Sequence, residues 1–195
     1  MRSLLNQKTV NCTRSESGQN TLKGMAAVYY DEADQGTEYR LYGAVRERIL
    51  PGAFDGGRDA DIISTFNHDP NQLLGKTSSG TFRFDVTPDG VAYEIDLPDT
   101  QLGRDIATLA ERGDIDGSSF WFDFGESVYN KRTDDEGEIW ELQEVRGLVE
   151  MGPVTVPAYK STTAFKRSQE MTELETSRNL AATTRLKLLA KSRGL

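Results

Sequence analysis

The only histidine of this 195-residue chain is His68, at the end of the short apolar run Asp61-Ile62-Ile63-Ser64-Thr65-Phe66-Asn67. Any chemistry that uses an imidazole as general base must therefore use this residue. The partner such a base serves is a hydroxyl, because serine is a weak nucleophile at its free pKa. Ser119 is the hydroxyl that the sequence offers most plainly. The stretch Gly113-Asp114-Ile115-Asp116-Gly117-Ser118-Ser119-Phe120-Trp121-Phe122-Asp123-Phe124 leaves a helix-like segment, turns, and enters an alternating strand. Phe120, Phe122 and Phe124 share one parity and face a core, while Ser119, Trp121 and Asp123 point the other way. Read alone, Gly-Ser-Ser is more often only a turn. A carboxylate would complete the set, accepting a bond from the second ring nitrogen and fixing the tautomer. Glu150, just after the apolar Gly147-Leu148-Val149, is one candidate, with Asp69, Asp123 and Glu144 as rivals. The chain order histidine, serine, acid differs from chymotrypsin, subtilisin and the α/β-hydrolases. Gly117-Ser118-Ser119-Phe120-Trp121 also lacks the last glycine of a G-x-S-x-G elbow, which disfavours the hydrolase fold.

Such groups need rigid elements to hold them. Leu22 to Tyr30 reads as a first buried strand and Tyr39 to Val45 as an extended segment, while Arg46 to Phe54 ends in a Pro-Gly break. Asp61 to Asn67 is the short strand that delivers His68, and Leu73 to Thr77 is a brief strand or turn. Thr81–Val86 and Val91–Leu97 alternate around Thr87-Pro88-Asp89-Gly90, a hairpin in which proline presets one turn angle and glycine accepts positive φ. Leu102, Ile106, Leu109 and Ala110 form one apolar stripe, predicting a helix over 100–112 with Asp99 or Thr100 as its cap and Gly113 at its end. A second hairpin follows the Ser119 strand, with an acidic turn over 131–137. Val145–Val149 and Val154–Val156 are the last strands, separated by Met151-Gly152-Pro153. Short strands with one or two helices predict a mainly β (α+β) fold, a closed or nearly closed β-barrel with peripheral helices.

Composition narrows the class. At 36% hydrophobic and 28% charged, the chain suits one globular domain plus some tail. Residues 1–20 are polar, without periodicity, and read as a flexible segment; 21–164 read as the domain; 165–195 read as a basic helical tail. No apolar run reaches the length of a membrane span, and Met1 to Lys8 lacks the apolar core of a signal peptide. A single cysteine, Cys12, excludes an internal disulfide framework and fits a reducing cytoplasm. With one histidine and no Cys-x-x-Cys pair, no metal or other cofactor is expected. Residues 165–195 hold seven Lys/Arg and three Glu, a net +4 in a chain of −8, so residues 1–164 carry −12. An acidic body argues against nucleic-acid binding by that body, while the basic end suits an acidic partner.

Four ordered blocks carry a family resemblance. They are Glu47-Arg48-Ile49-Leu50-Pro51-Gly52-Ala53-Phe54; Asn67-His68-Asp69 with Leu74-Gly75-Lys76-Thr77; Arg112 to Phe120; and Glu150-Met151-Gly152-Pro153-Val154-Thr155-Val156-Pro157-Ala158-Tyr159. From about Leu22 to Arg167 the chain resembles the prohead (capsid-maturation) serine proteases of tailed bacteriophages, the HK97-type group related to the herpesvirus assemblins. By position, the resemblance puts the family's histidine on His68, its serine on Ser119 with Ser118 as runner-up, and its third member on Glu150. Assemblins use a second histidine as third member, and this chain has none. Trp121 stands where relatives commonly have glycine, and Met151-Gly152-Pro153 replaces a more usual Val-Ser pair.

The resemblance implies an assemblin-like barrel and a serine endopeptidase acting inside the assembling procapsid, in the host cytoplasm. Its partners would be the major capsid protein with its scaffolding segment, and copies of itself. It would cleave that segment and then digest itself. The competing expectation is a non-enzymatic assembly module that binds capsid or scaffold on the same barrel.

Overall fold

In a computed structural model, the described residues are 10–14 and 20–157. Among these residues twelve strands pair into three four-stranded sheets. The first sheet has the order β1-β2-β8-β7, from Asn11–Arg14, Asn20–Val28, Gly90–Asp96 and Phe82–Thr87. The second has the order β10-β11-β4-β3, from Val128–Asp134, Gly137–Glu144, Val45–Ile49 and Glu38–Tyr42. The third has the order β6-β5-β12-β9, from Leu73–Lys76, Ile63–Thr65, Leu148–Val154 and Gly117–Phe122. The β4–β11 and β5–β12 ladders are parallel and the others antiparallel. The mainly β expectation holds. No sheet among the described residues closes on itself, but the first and third meet along two seams, β9 beside β2 and β6 beside β7 and β8.

The one α-helix among the described residues, α1 (Gln101–Glu111), follows its sequence signals. Thr100 is the cap, its hydroxyl accepting from the Gly103 N–H, and Gly113 at φ 78° lets the Asp114 N–H turn back to the Leu109 carbonyl. Ile106, Ala107 and Ala110 are buried in the main core, and Leu102 and Leu109 pack against it. The same core takes Phe120 and Phe122, stacked at 5.4 Å, with Phe54 edge-on to Phe120. Phe124 packs against that core as well and also joins Tyr129 and Trp140 against a second cluster under β3, β4 and β11.

Three local expectations are corrected. The segment expected to be loose before residue 20 contains β1, paired with β2, and Val10 beside it is buried. The extended reading of 39–45 is a hairpin, β3 turning into β4 through Gly43 at φ 51°. The break expected at Met151-Gly152-Pro153 is absent, since β12 runs unbroken from Leu148 to Val154. Proline survives there because β5 pairs with β12 only at Glu150, so Pro153 lies beyond the shared ladder on that flank. The Pro153 carbonyl accepts from the Asn67 N–H of the following loop, and its missing N–H leaves no ladder bond unmade. The basic helical tail expected at 165–195 lies outside the described residues.

Candidate active site

The third sheet positions the candidate residues on three adjacent segments. β5 ends at Thr65 and hands the chain to a tight loop, 66–72. Backbone bonds from Phe66 to Gln72, Asp69 to Phe66 and Gln72 to Asp69 close that loop. Asn67 (φ 56°) and His68 (φ 58°) both adopt the left-handed conformation, which costs a non-glycine residue of order 1–3 kcal/mol and persists only where surrounding contacts impose it. The contacts are visible: Asn67 Oδ1 accepts from the Thr155 N–H at 2.8 Å and the Thr155 hydroxyl at 3.1 Å, tying the loop to the end of β12.

This backbone aims His68 at Glu150. Nδ1 and Glu150 Oε2 lie 2.5 Å apart, with Glu150 3% exposed and the imidazole 31% exposed. The other carboxylate oxygen, Oε1, accepts from the Thr65 N–H at 3.2 Å and the Thr65 hydroxyl at 3.0 Å. A buried carboxylate is tolerable only when its lone pairs are engaged, and three donors engage these. Because a carboxylate can only accept, the imidazole tautomer that suits this pair donates from Nδ1 and presents the Nε2 lone pair on the opposite side of the ring.

Glu150 sits opposite Trp121 on β9, and Gly152 sits opposite Ser119. Cross-strand partners point to the same face, so Ser119, Trp121 and Glu150 share one face of the sheet. The Trp121 ring stands edge-on to the His68 ring at 6.3 Å. Among the described residues no hydrogen bond links the Ser119 hydroxyl to His68. Ser118 points the other way, its Oγ 2.9 Å from the Tyr93 hydroxyl in the core. Burial raises the Tyr93 pKa, and the nearby charge of Glu150 adds to the rise.

The rival acids are occupied elsewhere. Asp69 caps its own loop through Asn71 and Gln72, bonds that lower its pKa. Asp123 accepts from the Gly125 and Glu126 N–H groups, and Glu144 pairs with Arg146 at the surface. Sequence reasoning missed Thr65, Asn67 and Gly152. A Cβ on Gly152 would lie 2.2 Å from the Thr65 carbonyl oxygen and 3.1 Å from Glu150 Oε1, so glycine is what lets β5 close over the carboxylate. A polar Ser64-Thr65 in an otherwise apolar strand next to the lone histidine was the only sequence trace of these supports.

An imidazole held by a buried carboxylate lies beside a strand that carries Ser119, itself 6% exposed, on the same face as Glu150. Residues 8–177 of the chain match the family model described as caudovirus prohead serine protease. No curated protein and no solved structure matches the chain. The chain belongs to the caudovirus prohead serine proteases, serine peptidases of capsid maturation that act within the assembling procapsid. That membership implies interaction with the capsid protein. Among the described residues no helix is long and apolar enough to cross a membrane.

Proposed function

We propose that this chain cleaves the scaffolding segment of the phage capsid protein, and then itself, by acyl transfer to Ser119. His68 Nε2 takes the Ser119 proton as the hydroxyl oxygen attacks the peptide carbonyl, then returns it to the leaving amine. Glu150 holds the ring by Nδ1 and stabilises the imidazolium between these steps. Water, deprotonated by the same nitrogen, then frees the acyl group and restores the hydroxyl. The observation that carries this reading is the His68–Glu150 bond, a buried carboxylate fixing the only imidazole in the chain. The 195-residue chain is read as a peptidase body over 21–164, joined by the β1 strand of the N-terminal segment 1–20 and followed by a basic tail, 165–195, that docks on an acidic scaffold segment. The two seams between the first and third sheets support an assemblin-like closed barrel around that body.

Co-expression with the capsid protein in a bacterial host tests the reading by intact mass. The wild type should shorten the capsid protein and Ser119→Ala should leave it full length with an unchanged melting temperature. Processing by Ser119→Ala together with its loss in Ser118→Ala would place the nucleophile one residue earlier. A full-length capsid protein in every arm would leave the chain as an assembly module.

A further inference from the structure

Large apolar side chains left in solvent mark binding surfaces when they cluster, not when they scatter. Among the described residues, Leu73, Trp121, Val149 and Val156 are each about half exposed. All four belong to the sheet that holds His68 and Glu150, or to the segment leaving it. Trp121 is on β9, two residues from Ser119 and edge-on to His68. Val149 is the extra residue of the β12 bulge, adjoining Glu150 in the chain. Leu73 begins β6, directly after the loop closed by the Gln72 carbonyl. Val156 follows Thr155, which Asn67 binds from the other side of the histidine. Among the residues whose burial is described, the first two sheets leave no large apolar side chain exposed, so this is not a general feature of the surface.

We propose that this apolar rim is the substrate-recognition surface. It takes an extended peptide with a large aliphatic or aromatic side chain within a few residues of the cleaved bond, and Trp121 is the wall that selects it. The proposal rests on the peptidase reading above and names the substrate class for it. Trp121 suits the role because an aromatic ring offers a large, rigid area and costs little ordering entropy. Standing edge-on to the imidazole, it also limits the space beside the reacting carbonyl, which favours an apolar side chain lying against the indole face. Because the indole lies outside the core, replacing it removes recognition without opening a cavity.

Binding is read on the full chain carrying Ser119→Ala, so that the probes stay intact. The probes are fluorescein-labelled, capped octapeptide pools with one position fixed as Leu, Phe or Val, against matched pools fixed as Ser or Asp, followed by anisotropy. The apolar pools should bind about tenfold tighter, and they should shift Trp121 emission to the blue, since Trp140 is nearly buried. Adding Trp121→Ala should bring the ratio to about one, while Trp121→Phe should keep most of it. Equal binding of the two pool types, or a ratio unchanged by Trp121→Ala, would overturn the proposal. So would a concentration-dependent dimer that Trp121→Ala disperses without any effect on the peptides. Failure of the peptidase reading shows separately, as a capsid protein that no variant shortens.

Discussion

Glu150→Gln changes one carboxylate oxygen to an amide nitrogen and leaves the shape of the side chain alone. The structure dictates how the amide must sit. The Thr65 backbone N–H can only donate, and it meets the side chain at Oε1 together with the Thr65 hydroxyl. Glutamine must therefore present its carbonyl to Thr65 and its NH2 to His68 Nδ1. That amide donates where the carboxylate accepted, so Nδ1 becomes the acceptor and the ring proton moves to Nε2. A base protonated there cannot take the proton that the proposed mechanism draws from Ser119. In the comparable change of a triad carboxylate to its amide, the wrong tautomer lowers kcat by about 10⁴. A fall on the order of 10³–10⁴ is expected here, about 4–5.5 kcal/mol of transition-state stabilisation. Stability should change little, by less than about 1.5 kcal/mol, because every bond retains a partner. Steady-state cleavage of a capsid-derived peptide and a denaturant melt on the same samples separate the two effects. A glutamine variant with wild-type melting and kcat within about tenfold of wild type would remove Glu150 from the orienting role.

Further outcomes follow from other contacts. Ser118→Ala should keep cleavage but lose about 1–3 kcal/mol of stability, because the buried Tyr93 hydroxyl is left without Ser118; chemical denaturation measures it. Asn67→Ala should lower kcat by about 10–100-fold at unchanged substrate affinity, since the loop loses both Thr155 bonds and misplaces His68 by a fraction of an ångström; single-turnover kinetics read the split. Gly152→Ala should fail to fold stably or lose the His68–Glu150 bond, because its Cβ has backbone at 2.2 Å, and a thermal melt with histidine NMR distinguishes these. Acid should destabilise the fold. Asp61, held at about 2 by Thr77 and Lys76, and Asp96 and Glu94, lowered by Arg83 and Lys23, all titrate below their unfolded values. Their contribution is complete above about pH 5 and is lost as pH falls toward 2, so melting temperature should drop over that window and hold between pH 5 and 7.

Periodicity made most of the fold legible. The helix showed through its stripe and its cap, the β7–β8 hairpin through Pro-Asp-Gly, and the Ser119 strand through alternating phenylalanines. Each of these signals is local, set by a few neighbouring residues and visible without knowing what they pack against. The hidden parts depend on distant segments. β1 is a polar stretch that becomes a strand because β2 offers an edge. The run through Gly152 and Pro153 reads as a break, yet it is a strand because β5 stops short and the 66–72 loop takes its place.

For the site, the chain by itself determined the chemical inventory: one imidazole, a serine facing away from the core, and several carboxylates competing for the third place. Only the tertiary structure shows which carboxylate lies against the imidazole. Asp69, Asp123 and Glu144 spend their oxygens on nearby turns and a surface arginine, whereas Glu150 is carried by β12 to within 2.5 Å of His68. Sequence spacing cannot show this, because the pairing is made across 82 residues by strand order and register, and which lone pairs remain free depends on every donor folded around them.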